Sequence, residues 1–330
     1  MGQEQNHQDA AANLGRSPAR KAGYRFLATL VGLGLLSVPH SQDPIPAVTP
    51  FSGEAAYTYL KQQCEFGPRV PGTVGHAKGK TFIQDEATKY ADKVELQNFT
   101  HRWSKTRDVY DMTNVLAFQN WEKATTRVIL LAHWDTRPSA DMEPRPENRQ
   151  KPIAGANDGA SGVAVLLELM KTLKGRTGSV GICYAFVDGE DLGPDISEMF
   201  LGAEYLSRHL PTPKPHYGIL LDMIGDADLS IPKEEYSNYY APELMKALYL
   251  HAASLDMRSA FPNVIGSPIL DDHLSLNRAG IPTIDLIDFD YPYWHTLQDT
   301  PDKCSAESLG KVGKLLETWL TKPTPWTLKR

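Results

Sequence analysis

The chain has 330 residues, of which 41% are hydrophobic and 22% are charged, so it is long enough to fold around a sizeable core. Its formal net charge of −6 gives no basic surface of the kind that binds nucleic acid, and we predict no nucleic-acid partner. The three cysteines, Cys64, Cys183 and Cys304, form no CxxC pair, so any metal site must use His, Asp and Glu.

The N-terminal region has the pattern of an export signal. Residues 1–25 are polar and end in a basic group, and residues 26–38 form an apolar run as long as the core of a signal peptide but short for a membrane span. We therefore predict a periplasmic, extracellular or membrane-anchored protein, with cleavage and an uncleaved anchor both open. Any membrane contact would be made through this segment. Residues 39–50 are predicted to be a linker, and residues 51–330 one catalytic domain.

Strands and helices alternate along residues 51–330. The predicted strands are 96–102, 112–118, 127–132, 180–187, 217–221 and 283–287. The predicted helices are 54–64, 75–92, a helix that ends near residue 173, 241–255 and 305–321, and residues 136–154 are predicted to be a surface loop. This order predicts an α/β fold of three layers, in which helices cover both faces of a central, mostly parallel, twisted sheet.

Polar residues capable of binding a metal follow the apolar strands. His133, Glu190, Asp191 and Asp222 each lie at or just after the end of such a run, while Asp158 lies in a turn before a helix. In open α/β sheets the carboxyl ends of the strands form the binding edge, so we expect these side chains to meet there.

A cluster of carboxylates at one edge requires a cation, because adjacent carboxylates repel one another and would otherwise have to be protonated. The histidines favour zinc, which accepts imidazole nitrogen and carboxylate oxygen, over magnesium or calcium, which prefer oxygen ligands. The sequence therefore predicts a zinc site.

The chain resembles the zinc aminopeptidase family that also contains the glutaminyl cyclases, over roughly residues 51–320. The resemblance rests on six short motifs in order: His133-Trp134-Asp135, Gly155-Ala156-Asn157-Asp158, Asp188-Gly189-Glu190-Asp191, Leu221-Asp222, Asp271-Asp272-His273 and Trp294-His295-Thr296. Trp294, the Asp-Asp-His segment and the Gly202–Leu206 stretch look more like the cyclase branch.

The resemblance implies a role for each matching residue. Zinc would be bound by Asp158, Asp191 and His295, and Glu190 would be the catalytic acid and base. Asp271 would form a hydrogen bond to the acid/base network. His133 and Asp222 would bind a second metal or lie next to the first. Trp294 would contact the substrate side chain. We add Tyr291 as a second substrate-binding aromatic residue.

The chain also departs from the family pattern. Asp191 stands where Glu is commoner, Ala132 and Val163 occupy the places of a disulfide in the animal cyclases, and no tryptophan follows the Glu-Asp pair at the cyclase position. A bacterial-type cyclase is the closer comparison.

The leading hypothesis is a zinc-dependent glutaminyl-peptide cyclotransferase, which converts the N-terminal Gln of peptides and proteins to pyroglutamate and releases ammonia. The alternative is an aminopeptidase with two zinc ions, whereas the cyclase would hold one. A third hypothesis is a binding module without activity, which the retained Glu190 disfavours. The sequence does not predict the oligomeric state.

Overall fold

The computed structural model describes residues 49–323 and 326–327 of the chain. The predictions for residues 1–25 and 26–38, and for all but the end of the linker, fall outside these residues. Within them, no helix combines the length and apolar character needed to cross a bilayer.

Six strands form one mixed sheet in the order β1-β2-β4-β3-β5-β6. The pairs β1–β2 and β2–β4 are antiparallel, and β4–β3, β3–β5 and β5–β6 are parallel. The strands are β1 (Lys93–Arg102), β2 (Val109–Gln119), β3 (Thr126–His133), β4 (Val180–Val187), β5 (Tyr217–Asp222) and β6 (Thr283–Ile287).

The eight helices of the described residues are α1 (Gly53–Glu65), α2 (Val74–Tyr90), α3 (Ala160–Leu173), α4 (Leu201–Arg208), α5 (Glu235–Tyr240), α6 (Pro242–Ser254), α7 (His273–Arg278) and α8 (Ala306–Leu320). Consecutive residues of a strand point to opposite faces of its sheet, so a strand that is buried throughout has apolar side chains on both. In β3, Leu130 packs in the large core with residues of α1, α3 and α8. Its neighbour Leu131 packs in a smaller core with Leu206 of α4 and Leu276 of α7.

The predicted three-layer α/β fold is confirmed, with helices on both faces of the sheet. The predicted strands and long helices are present, and most of their ends differ by one to three residues. Three helices were not among those predicted: α4, of eight residues, and α5 and α7, of six residues each. Such short helices show no apolar period, and α5 depends instead on the Glu234 side chain, which accepts the backbone N–H groups of Tyr236 and Ser237.

Strand register brings the polar residues together. His133 at the end of β3 pairs with Val187, the last residue of β4, and Asp222 at the end of β5 pairs with Ile287, the last residue of β6. Because these four strands are parallel and in step, the segments that leave them emerge at one edge of the sheet.

Candidate metal centre and active site

Asp158, Asp191 and His295 come together at this edge, and each offers one ligand atom within 4.8 Å of the other two. His295 Nε2 lies 3.5 Å from Asp158 Oδ2 and 3.4 Å from Asp191 Oδ1. All three side chains are buried, and Asp191 Oδ2 has no hydrogen-bond partner in the described part of the chain. Two carboxylates and one imidazole fit a zinc ion with one position open to substrate, and the unpartnered oxygen of Asp191 is explained if it faces such an ion.

A second group shares Asp158. His133 Nε2 lies 3.0 Å from Asp158 Oδ1 and 3.1 Å from Asp222 Oδ1, so the two oxygens of Asp158 face the two groups separately. Gly159 permits this approach, because a Cβ atom there would lie 2.5 Å from the imidazole of His133. The geometry therefore accommodates one ion or two.

The surroundings favour positive charge at both histidines. Burial opposes the charged form of His295, but Asp191 and Asp141 outweigh it and raise the pKa of His295 to about 10. Burial likewise opposes charge on His133, yet the neighbouring carboxylates of Asp135, Asp158 and Asp222, the last joined by a hydrogen bond, raise the pKa of His133 well above its usual value. An excess of carboxylates that attracts protons also attracts a metal cation.

Glu190 lies beside the ligands, and its side chain is nearly buried. Burial, followed by the neighbouring charge of Asp191, raises the pKa of Glu190 well above its usual range. Its backbone is fixed by Asp135, whose two carboxylate oxygens accept the N–H groups of Glu190 and Asp191 at 3.1 Å each. Glu190 is therefore a positioned carboxyl group with a raised pKa, of the kind that can accept and donate a proton.

Asp271 lines the same cavity as Glu190 and is buried with it. Burial and the charges of Asp222 and Asp272 raise the pKa of Asp271 well above its usual value. Asp271, His273 and Asp285 each have a nitrogen or carboxylate oxygen within 4.8 Å of the other two. His273 and Asp285 therefore form a second layer of buried polar groups next to Asp271. Sequence reasoning assigned no role to these two residues.

A clamp from the loop between β3 and α3 holds two of the candidate ligands. Arg137 Nη1 donates to Asp191 Oδ1 at 2.8 Å, and its Nη2 donates to Asp141 Oδ2 at 2.7 Å. Asp141 Oδ1 lies 2.9 Å from Nδ1 of His295. Although burial alone would raise the pKa of Asp141, the close contact with His295 and the hydrogen bonds from Arg137 lower it well below its usual value. Partners of this kind fix ligand orientation.

This clamp corrects the prediction that residues 136–154 form only a surface loop. Arg137, Glu143 and Ile153 are buried, and the loop packs against the site. A charged, Pro-rich composition suggested solvent exposure, but the charges of Arg137 and Asp141 are used inside the protein. An Arg four residues after a strand that ends in a candidate ligand was the available signal.

Trp294 and Tyr291 differ in their placement. Trp294 stacks on His295 with ring centroids 3.9 Å apart and lines the cavity. Tyr291 is not among the residues that line it, and its hydroxyl donates to Asp299 Oδ1 at 2.8 Å. Asp299 in turn accepts the backbone N–H groups of Asn157 and Asp158. Tyr291 therefore supports the turn that carries Asp158, and the structure does not place it for the substrate contact predicted from sequence.

The cavity measures about 50 Å³. Its polar wall is the carboxylate and imidazole group described above, and its other wall is apolar: Met199, Met223, Ile269, Leu270, Ile287, Phe289 and Trp294. A small cavity with a few convergent polar groups and one hydrophobic wall suits the reacting end of a substrate.

Comparison with known proteins agrees with this arrangement. Residues 114–320 match the model of Peptidase family M28, and the chain belongs to that family. The fold and the site thus define a zinc-exopeptidase-type α/β protein.

Two solved structures from Bacteroides thetaiotaomicron are similar to the chain. One is a glutaminyl cyclase bound to N-acetylhistamine, at 34% identity and a TM-score of 0.79, covering 84% of this chain and 100% of that one. The other is a leucine aminopeptidase precursor, at 34% identity and a TM-score of 0.80, covering 84% and 99%.

Curated relatives are more distant. The mouse glutaminyl-peptide cyclotransferase-like protein is 25% identical over 286 residues, which are 77% of this chain and 72% of that protein. The chain spans about half of the Escherichia coli alkaline phosphatase isozyme conversion protein, at 27% identity over 177 residues, with coverage of 51% of this chain and 49% of that protein. Together with the family match, these relatives identify an enzyme of the cyclase and peptidase type, and they imply zinc.

Proposed function

We propose that the protein is a glutaminyl-peptide cyclotransferase that acts on the N-terminal Gln of peptides and proteins, with one zinc held by Asp158, Asp191 and His295. The observation that carries this proposal is the pairing of Glu190 and Asp271, two buried carboxyl groups on one cavity wall opposite Trp294. Cyclisation moves one proton from the attacking amine to the leaving ammonia, and a carboxyl of raised pKa beside a second one is suited to that transfer.

Each residue has a defined part in the reaction. Zinc bound at the three ligands supplies Lewis-acid polarisation of the γ-amide oxygen. The carboxylate of Glu190 accepts the proton of the attacking α-amine and then donates it to the departing ammonia. Asp271 orients Glu190, and Trp294 packs against the substrate side chain. The small cavity holds amine and amide together, so proximity contributes much of the rate.

The second candidate is an aminopeptidase with two zinc ions. It is favoured by the group of His133, Asp158 and Asp222, which offers a complete set of ligands for another ion around the shared Asp158. In that enzyme Glu190 would remove a proton from the attacking water.

A product assay separates the two activities. The purified zinc-loaded protein is incubated with a Gln-initiated peptide and with leucine amide, and products are identified by mass spectrometry. A cyclase releases ammonia and leaves the peptide at full length, whereas a peptidase frees the first residue. Metal content measured on the same sample gives the number of ions per chain. The Glu190→Gln variant is the control, because it should retain zinc while losing either activity.

A further inference from the structure

The cavity at the metal group is too small for more than the end of one residue. A cavity needs a volume of roughly 10–15 Å³ to hold one water molecule. The space of about 50 Å³ therefore has room for a few non-hydrogen atoms, enough for a reacting amide and amine. The next residue of a bound peptide must lie elsewhere.

A second cavity of about 100 Å³ adjoins the first. Three residues, Ile269, Ile287 and Phe289, line both cavities, so only one layer of side chains separates them. Phe289 is 41% exposed, and Leu270 on the rim of the first cavity is 52% exposed. Exposed apolar side chains beside a catalytic cavity are typical of a surface that a ligand covers.

The one buried polar side chain that lines the second cavity, Glu234, already has hydrogen-bond partners, and Ser267 and Asp290 are exposed. The other lining residues of this cavity are Pro232, Glu234, Gly266, Ser267 and Asp290. Both carboxylate oxygens of Glu234 are already used: Oε1 accepts the N–H groups of Tyr236 and Ile269, and Oε2 accepts the N–H and hydroxyl of Ser237.

Charge at the opening selects against acidic side chains. Asp290 is exposed there. The nearby His273 imidazole, at 3.3 Å, and hydrogen bonds from Ser237 and the Ile269 N–H outweigh burial and lower the pKa of Glu234 to about 2, so this carboxyl is ionised. An acidic side chain would approach two carboxylates in a confined space and would be repelled.

We infer that this second cavity is a binding site for the side chain of the residue that follows the N-terminal Gln, and that it selects apolar residues over polar ones and rejects acidic ones. The inference rests on the proposed function, since it assumes a peptide whose first residue reacts beside Glu190. Phe289 forms the boundary that the peptide crosses between the two cavities.

Three tripeptides, Gln-Leu-Ala, Gln-Ser-Ala and Gln-Glu-Ala, test the site. For the wild-type enzyme we expect kcat/KM for the Leu peptide to exceed that for the Ser peptide by about tenfold, since a few methylene groups in an apolar site have this effect. The Glu peptide should be slowest.

Ser267→Leu places a side chain in the second cavity, so the Leu-to-Ser ratio should fall to about two in that variant. Asn263→Leu adds the same group to the same exposed loop outside the cavity and should keep the wild-type ratio. The ratio compares two substrates of one enzyme, so a partial loss of folded protein does not change it. Phe289→Ala provides a second variant and should lower the ratio similarly.

Two results would overturn the inference: equal kcat/KM for the three peptides with wild-type enzyme, or a ratio that Ser267→Leu and Asn263→Leu change alike. If no Gln peptide is cyclised, the proposed function fails instead. Calorimetric binding of the same peptides to the zinc-loaded Glu190→Gln variant then tests the cavity by itself, and equal affinities would refute it.

Discussion

Removing the charge of Asp141 should weaken zinc binding although Asp141 is not a proposed ligand. In Asp141→Asn the side chain keeps its shape but loses the negative charge that attracts His295 Nδ1, at 2.9 Å, and the guanidinium of Arg137. His295 then loses the partner that orients its ring, and Arg137 is left bonded only to Asp191 among the carboxylates. The other nitrogen of His295, Nε2, faces the proposed metal position.

The size of the effect follows from the type of contact. A hydrogen bond to a charged group contributes about 1.5–3 kcal/mol, which corresponds to about 10–100-fold in affinity. Loss of a residue that supports a metal ligand has an effect of the same order. Because the Asp141 side chain is 38% exposed, water competes for these contacts, and we expect the lower end, a zinc Kd raised by about tenfold.

Zinc affinity is measured by competition with a chelator of known Kd, at a pH near 7.5, on wild type and variant. Glu147→Gln is the matched control, since Glu147 is an exposed acid on the same loop and its change should leave the Kd unaltered. A Kd for Asp141→Asn within twofold of wild type would refute the view that this clamp orients His295. Arg137→Gln should also weaken binding, and the double variant should lose less than the sum of the two effects, because both residues belong to one network.

Three further outcomes are expected. Glu190→Gln should lower kcat by about 10²–10⁴ with zinc content unchanged, as measured by steady-state kinetics and metal analysis, and near-normal turnover would exclude Glu190 as the acid and base. Tyr291→Phe should lower the free energy of unfolding in denaturant by about 1 kcal/mol, through loss of the bond to Asp299, and leave kcat/KM within twofold, whereas a large rise in KM would restore its predicted contact with substrate. Burial, assisted by Lys322, lowers the pKa of His251 from 6.5 to about 4, so below about pH 6.5 the unfolded chain binds the proton first and stability falls as the pH drops toward 4. In His251→Gln the decrease in Tm between about pH 7 and pH 5 should therefore be smaller than in wild type, and an equal decrease would contradict this assignment.

The fold was predictable because its buried strands stand out in the sequence as short apolar runs. Every position of β4, and every position of β3 from Val128 onward, is buried, so each strand reads as a continuous apolar run that ends where a polar residue begins. In parallel strands the last residues lie side by side, and this alone brings His133, the Glu190 segment and Asp222 to one edge. The meeting of these residues therefore followed from chain order and strand ends, whereas the ligand roles of Asp158, Asp191 and His295 came from the family resemblance.

Residues that act through loops could not be predicted in the same way. His295 lies in an irregular segment with φ of 53°, a left-handed conformation that sets where its ring points and that no apolar pattern encodes. Asp141 meets it from a distant loop. Tyr291 lies four residues before His295, and only the path of the turn decides that its hydroxyl faces Asp299 and not the cavity. Proximity in sequence was a poor guide to side-chain direction there.

Charge balance links the number of zinc ions to the protonation of His133. With one zinc at Asp158, Asp191 and His295, the two carboxylates neutralise the ion, and Arg137 and Asp141 neutralise each other. A protonated His133, which lies 3.1 Å from Asp222 Oδ1, would then balance Asp222 without a second metal. A second zinc would bind His133 only in its neutral form and would displace that proton, since a metal ligand must be deprotonated. The same side chains can therefore support the one-ion arrangement of the proposed cyclase and the two-ion arrangement of a peptidase, and a second zinc would have to compete with a proton for His133.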